Sequence, residues 1–369
     1  MRIFKSRKKA VIEVGFSWIF ILIAGGVILG LFSYIAVQQG SFFKTLISAN
    51  LLTDLDAIFV GAQVSRNTAA VFEIPQTRMQ FSCTSYSIDG LANPLTGRFV
   101  FAPQQLHTNE LLTWSKSWSL GFRITNFLYI TSPYIKYYVV YTEDMESLAQ
   151  DIYNDLPARL AKEKIMVDNS FHPLQGEEII NQNYDRIHVM VLQRASVDPG
   201  YNTEPTQVSQ SLYDSSKFRS YRKDEIQFIH VRSYTDSLRA GRTDTFDIAF
   251  TNKEQAGYEF PGGDGPRYWQ TVYDISAVYG AFISGNPDVF QCTMERAFAK
   301  AGDVVQVYDT RRSLLSGPNC HYSQSAPAFT SMVETLHDNR IDIDVVGTQI
   351  RALQSENERL ERISCPLLY

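Results

Sequence analysis

Val14 to Val37 runs for 24 residues without a charge, and that run limits this chain more than any other feature. At about 1.5 Å per residue, a helix of that length reaches about 36 Å, against a hydrocarbon core of about 30 Å. Its only plainly polar members are Ser17, Ser33 and Tyr34. Trp18 and Tyr34 lie near its ends, where amphipathic rings suit the membrane–water boundary. A cleaved signal peptide has an apolar core of about 7–15 residues and a small-x-small cleavage site. This run is longer, and Ile35-Ala36-Val37-Gln38-Gln39 offers no such site. The reading is therefore an uncleaved anchor, with membrane lipid as the partner of residues 14–37. Arg2, Lys5, Arg7, Lys8 and Lys9 precede the run. The excess of positive charge predicts a cytoplasmic N-terminus and a C-terminal region outside the cell membrane.

The whole chain carries 34 Lys+Arg against 39 Asp+Glu. Without the five N-terminal basic residues and Glu13, residues 38–369 are nine charges negative. Such a region has no basic stripe, and nucleic acid is excluded as a bulk-charge partner. With 44% apolar and 20% charged residues the composition is globular.

Beyond the anchor, Phe42, Leu46, Ala49, Leu52, Leu55 and Phe59 recur at helical spacing, so Ser41 to Ser65 predicts a membrane-proximal helix. Gln38-Gln39-Gly40 leaves open whether it breaks from the first helix or continues it. Strands are predicted at Ala70–Ile74, Met79–Ile88 and Arg98–Ala102, with a turn at Asp89-Gly90. Residues 106–136 are aromatic-rich and stay unassigned. Tyr137–Tyr141, Arg186–Leu192 and Ile226–Val231 are apolar on both faces, the pattern of strands inside a covered, mostly parallel sheet. A helix is expected from Glu143 to about Lys164, capped by Thr142 and kinked or ended by Pro157. Residues 195–224 form a polar insertion, and Thr245–Thr251 adds a hairpin strand. Tyr258–Arg267 is a Gly/Pro loop, and Tyr268–Ile283 reads as a helix. Asn286-Pro287-Asp288 is a strong helix start; further helices follow at Ala326–His337 and Ile341–Ile363. The last carries a heptad-like seam, read as packing on its own domain. The expected architecture is thus a mixed α/β fold: a leader over residues 1–10, a transmembrane helix over 11–37, a proximal helix over 38–65, an α/β ectodomain over 66–285 with a mostly parallel sheet, and a C-terminal helical bundle over 286–369.

Cys83, Cys292, Cys320 and Cys365 fall in the compartment where disulfides form. There is no Cys-x-x-Cys. If residues 288–315 form one helix, Cys292 lies about 35 Å from its end, while the five residues from Leu315 to Cys320 span at most about 18 Å. On the expectation that the last helices return along the first, this predicts Cys292–Cys365 and Cys83–Cys320; a break of the helix at Gly302-Asp303 would instead allow Cys292–Cys320.

No metalloprotease, nucleophile-elbow, phosphate-loop or EF-hand motif occurs, and no cofactor or metal is expected. His188 and His230 each sit in an Ile-His-Val triplet; a metal pair is conceivable, a satisfied core histidine is the expectation. Gly262-Gly263-Asp264-Gly265 reads as a turn. A ligand of a doubly wound sheet sits at the carboxyl ends of its strands, which makes Glu143, Asp144, Arg194, Arg232 and Asp236 the candidate ligand site. Trp114, Trp118 and Trp269 suit a sugar- or peptide-binding face or core packing equally well.

Lys8-Lys9-Ala10, followed by Phe16-Ser17-Trp18-Ile19-Phe20, resembles the start of a group of single-pass membrane proteins of archaea with a type IV pilin-like N-terminus. Tyr279-Gly280-Ala281-Phe282-Ile283-Ser284 before Cys292, and the tail Cys365 to Tyr369, look similar to the same group. The resemblance implies cleavage after Ala10, with Glu13 as third mature residue where the bacterial pattern has its Glu fifth. It implies no activity. The expected function is a membrane-anchored cell-envelope protein with a structural or binding role, meeting an envelope protein or a second copy of itself. A pilin-like subunit and a membrane-tethered hydrolase are the alternatives.

Overall fold

The computed structural model describes residues 8–65, 67–173, 184–195, 204–214, 218, 221, 225–234, 245–251, 269–317, 320–322, 324–338 and 341–369. Asp236 and the Tyr258–Arg267 loop, with its glycine cluster, lie outside the described residues, as does much of 195–224. The chain divides into two compact units, Met1–Leu55 and Asp56–Tyr369.

Helix α1 (Lys8–Val64) is 57 residues long and runs unbroken through Gln38-Gln39-Gly40. One glycine costs a helix about 1 kcal/mol relative to alanine, too little to stop one of this length. Trp18–Ile35 has a mean hydropathy of 2.3 and none of it is buried. The final turns of α1 belong to the second unit. There Phe59 meets Tyr86 edge-on at 5.1 Å, and Asp56 takes both guanidinium nitrogens of Arg98. That guanidinium holds the Asp56 carboxyl below its usual range.

The first sheet contains β1 (Ala69–Phe81), β2 (Ser85–Ile88), β3 (Leu91–Pro94), β4 (Phe99–Phe101), β5 (Gln105–Ser119) and β6 (Arg123–Thr131). Its order is β3-β2-β1-β5-β6-β4, antiparallel except for β4 against β6. The expected strand Met79–Ile88 is in fact two, because the chain reverses at Cys83: Ser82 N–H donates to the Ser85 carbonyl at 2.8 Å. The unassigned aromatic stretch is the β5–β6 hairpin. Leu111–Ser115 and Asn126–Thr131 have almost every residue buried, so no alternation marks them as strands.

The second sheet has the order β12-β11-β10-β9-β7-β8. Its strands are β7 (Ile135–Tyr141), β8 (Lys162–Met166), β9 (Arg186–Arg194), β10 (Ile226–Ser233), β11 (Thr245–Thr251) and β12 (Gln270–Tyr273). β8, β7, β9 and β10 are parallel; β11 and β12 are antiparallel. The fold is therefore mixed α/β with two mixed sheets, and the expected mostly parallel sheet reduces to the stretch from β8 to β10. Helix α2 (Glu146–Asp155) joins β7 to β8 over one face, where Lys162 donates to the Tyr153 and Leu156 carbonyls. Helix α3 (Pro205–Asp214) joins β9 to β10 over the other face, its Val208 and Leu212 packed with Tyr138, Val140, Val189 and Val191. The winding direction reverses between β7 and β9. The helix expected to reach Lys164 stops at Asp155, ahead of Pro157, and Lys162–Met166 pairs with β7 instead.

The helix expected over Tyr268–Ile283 is β12 followed by helix α4 (Ile275–Ser284). The break is Asp274, whose φ of 74° no helix accepts. Its carboxylate caps α4 by accepting from Ser276 N at 2.9 Å. Every residue of α4 from Ser276 to Ser284 is buried. One side meets the first sheet: Tyr129 OH donates to the Ser276 carbonyl at 2.8 Å, and Trp114 lies 5.0 Å from Tyr279. The other side meets the second: Phe282 packs edge-on against Tyr137 at 5.1 Å. At Gly280 a Cβ would stand 2.9 Å from the Phe101 ring, so only glycine permits this approach.

Helices α5 (Pro287–Leu315), α6 (Ala326–His337) and α7 (Ile343–Arg362) complete the chain. Asn286 accepts from Val289 N at 3.0 Å, the expected cap. Ile343, Val346, Ile350, Leu353 and Leu360 are buried in the chain's own fold. α5 also packs on the first sheet, through Phe290 against Phe101 at 6.0 Å, so these helices are a layer of the domain as well as a cluster of their own.

The disulfides are Cys83–Cys292 and Cys320–Cys365, which corrects the predicted pairing. The predicted pairing assumes a single return pass along α5. The chain makes a second: α6 runs back, bringing His337 against Gly302, and α7 runs out again, so that Arg359 donates to the His321 carbonyl at 2.7 Å. Cys365 thus ends beside Cys320. Cys292, in the second turn of α5, lies over the β1–β2 turn, where Arg296 donates to the carbonyls of Cys83 and Leu95. Non-reducing peptide mapping should recover these two linkages. Cys292→Ser should lower stability by about 2–5 kcal/mol in denaturant melts, because the lost bridge spans a separation of 209 residues.

Candidate functional site

At the carboxyl ends of the parallel strands, Glu143 and Asp144 stand exposed in a 3-10 turn after β7. Thr142 Oγ1 donates to Asp144 at 2.5 Å rather than capping the backbone. Register then separates the two arginines. Arg232 lies beside Gln193, and Arg194 beside Ser233, so Arg194 and Arg232 point to opposite faces of the sheet. Asp236 is outside the described residues. Among the described residues, the sheet therefore does not bring Arg194 and Arg232 to one face.

Arg232 is tied into packing. Its guanidinium lies 3.7 Å from the centre of the Trp269 ring, and Asp247 stands across from it on β11. Burial draws the Arg232 pKa down, and Asp247 opposes that. Asp247 in turn accepts from Thr271 Oγ1 at 2.7 Å and Tyr234 OH at 3.1 Å. Trp114 and Trp118 are 4% and 0% exposed, so they are core. Trp118 Nε1 donates to the Tyr273 carbonyl at 3.1 Å.

The two histidines are core residues on opposite faces. His188 sits beside Gln227 and His230 beside Val191 in the β9–β10 register, an odd offset that excludes a shared metal. His188 Nδ1 donates to the Phe282 carbonyl at 2.8 Å. His230 Nε2 is 2.8 Å from Ser209 Oγ, which is also 2.8 Å from Thr251 Oγ1. A serine–histidine contact suggests a nucleophile and its base. Here the Ser209 proton goes to the Pro205 carbonyl at 2.9 Å, which leaves Oγ to accept from Nε2–H, the reverse of activation. All three side chains are at most 1% exposed. Among the described residues, no group of three His, Cys, Asp or Glu is placed to hold a metal ion.

The opposite end of the second sheet holds a cavity among the described residues. Between the amino ends of β7 and β9 and the β1–β5 pair of the first sheet lies a cavity of about 260 Å³. Leu106 and Ile135 supply its apolar surface; Arg78, Gln105, His107, Ser132, Asp185 and Arg186 supply the polar part. Arg78 and His107 are cross-strand partners on β1 and β5, and Arg186 adjoins Ile135 at the start of two parallel strands. Sequence reasoning missed this group because it comes from four separate segments, two of them in the unassigned stretch 106–136. Comparison with protein-family models, with curated proteins and with solved structures finds no match.

Burial holds the His188 and His230 pKa values down, at about 4 and about 3. Both stay neutral in the fold while the unfolded chain protonates near 6.5. The unfolded state then binds more protons below that pH, so stability contributed by these groups is present above about 6.5 and lost as pH falls towards 4. The difference in melting temperature between pH 7 and pH 5 should be smaller in His188→Gln than in the wild type. Equal differences would show that His188 does not titrate this way. Gly285→Ala should destabilise by about 1–3 kcal/mol, since φ is 57° and the added Cβ would stand 2.5 Å from the His188 ring.

Proposed function

We propose that this chain is a single-pass membrane-anchored protein of the cell envelope, with its disulfide-bonded α/β domain outside and a binding or structural role. The observation that carries this is Trp18–Ile35, a helical segment of mean hydropathy 2.3 with no part of it buried. An apolar surface of that extent has no stable place in water. The basic residues ahead of it favour a cytoplasmic N-terminus, and two disulfides suit an oxidising exterior. The cavity between the two sheets favours binding, because it is open where the Ser209–His230 pair is sealed. Alkaline carbonate washing of membranes should leave the full chain in the pellet, and external protease should digest a C-terminal epitope in spheroplasts. Recovery in the soluble fraction, or a protected epitope, would overturn the reading.

A second reading, a subunit cleaved after Ala10 and assembled through its apolar helix, is favoured by one observation: α1 continues without a break from the apolar segment into the packed turns around Phe59. Mass spectrometry of the mature N-terminus separates the two. A start at Val11 supports the subunit, and an intact leader removes it.

A further inference from the structure

The geometry points to the cavity between the sheets as a binding site for an oxyanion, the carboxylate or phosphate group of a small molecule. The inference deepens the binding half of the reading above and does not depend on the membrane half. Arg98, Lys116, Lys136, Arg312 and Arg359 each hold a carboxylate. Arg78 and Arg186 line one cavity and, among the described residues, neither has an ion pair. In a region nine charges negative, two such guanidiniums facing one space with a single carboxylate, Asp185, leave the described lining one charge positive. A guanidinium presents a planar fork of donors that fits a carboxylate or phosphate with two parallel hydrogen bonds.

The neighbours add donors. Gln76 Nε2 donates to His107 Nε2 at 3.2 Å, so the His107 ring proton sits on Nδ1 and is available to give. Ser132 Oγ accepts from Tyr134 N at 3.3 Å and keeps its own proton to offer. Asp185 is the one acid of the lining. Arg78, Arg186 and Asp185 together give the lining a net charge of one positive, and Asp185 lowers affinity for an anion. At about 260 Å³ the space is just below the usual range of about 300–1,000 Å³ for ligand pockets, which selects a small molecule.

The test is calorimetric titration of the full chain, in nanodiscs of zwitterionic lipid at low salt, with inorganic phosphate and with succinate. Saturable binding is expected. Arg78→Gln and Arg186→Gln should each weaken it about tenfold or more, the scale of one charge-assisted hydrogen bond. Asp185→Asn should tighten it several-fold, a direction that damage to folding cannot mimic. Arg311→Gln, on the exposed side of α5, should change nothing. A parallel arm adds vesicles containing phosphatidylglycerol. Capture of vesicles that both arginine variants abolish, without a response to free anions, assigns the oxyanion to a lipid headgroup; the converse assigns it to a soluble molecule. No saturable binding in either arm, binding unchanged in both arginine variants, or weaker binding in Asp185→Asn would overturn the proposal. None of these outcomes bears on carbonate extraction, so the anchor reading stands or falls separately.

Discussion

A ten-residue helix that is apolar on every side has to be covered on every side, and in this domain that helix is α4. Neither sheet could cover it alone. The first supplies Trp114, Tyr129 and Phe101; the second supplies Tyr137 and His188. Fully burying a side chain such as Phe282 or Ile283 contributes about 1.5–3 kcal/mol, so α4 is the contact through which the two sheets become one core. Its ends carry the cost. Asp274 stands at φ 74° and Gly285 at φ 57°, the first in a region that costs a non-glycine residue about 1–3 kcal/mol. Asp274 is held there by its bonds: Ser276 N and Oγ at 2.9 and 3.0 Å, and Ser119 N from the first sheet at 3.2 Å. Burial raises its carboxyl pKa and these donors pull it back. The cap therefore does two jobs, ending the α4 backbone and tying the helix to the neighbouring sheet.

The same demand explains the polar contacts around α4. Tyr279 has to bury its ring and still place its hydroxyl. It donates to Asp155 at 2.7 Å, a carboxylate that also pairs with Lys116 from β5. The ammonium of Lys116 lies 5.0 Å from the centre of the Tyr279 ring. One cluster thus links the first sheet, α2 and α4, and it gives the buried Tyr279 hydroxyl the partner that a buried polar group requires. The disulfides act further out. Cys83–Cys292 joins the β1–β2 turn to the start of α5, and Cys320–Cys365 closes the far end of the helical layer.

What could be read from residues alone follows from which physical signal is local. The long apolar helix, the Asn286-Pro287 cap and the inner strands β7, β9 and β10 were legible because length, capping chemistry and continuous apolar runs are local properties. The β5–β6 hairpin was not, because burial on both faces erases period-two alternation. β8 was hidden inside a helical reading, since Lys162-Glu163-Lys164 carries helix-compatible residues and only pairing with β7 makes it a strand. The disulfide pairing depended on how many times the last helices cross, a global property that no spacing reveals. The facing of the candidate ligand residues was hidden for a related reason: proximity in sequence to strand ends says nothing about which face a side chain takes, and one residue of offset in the β9–β10 register puts Arg194 and Arg232 on opposite sides.

The rule that ligands gather at the carboxyl ends of parallel strands rests on loops that diverge where the winding reverses. In this sheet the reversal lies between β7 and β9, and at the carboxyl end, among the described residues, Arg232 stacks on Trp269 and Thr142 bonds Asp144. At the amino end the situation is inverted. Only Ser132, Pro133 and Tyr134 separate β6 from β7, and this short link draws the first sheet up against the strand starts. Tyr134 is held at both ends of that link, its carbonyl by Asp185 N at 2.9 Å and its hydroxyl by Asn109 at 2.8 Å. The β1–β5 pair thereby becomes a wall facing the first residues of β7 and β9, and the side chains on that wall are polar because β1 turns alternate residues to solvent. The sheet faces turned to α4 are buried in the core, and the wall borders the cavity beside them. The cavity is thus a consequence of how the core is built, and its basic lining is what the sequence adds to it.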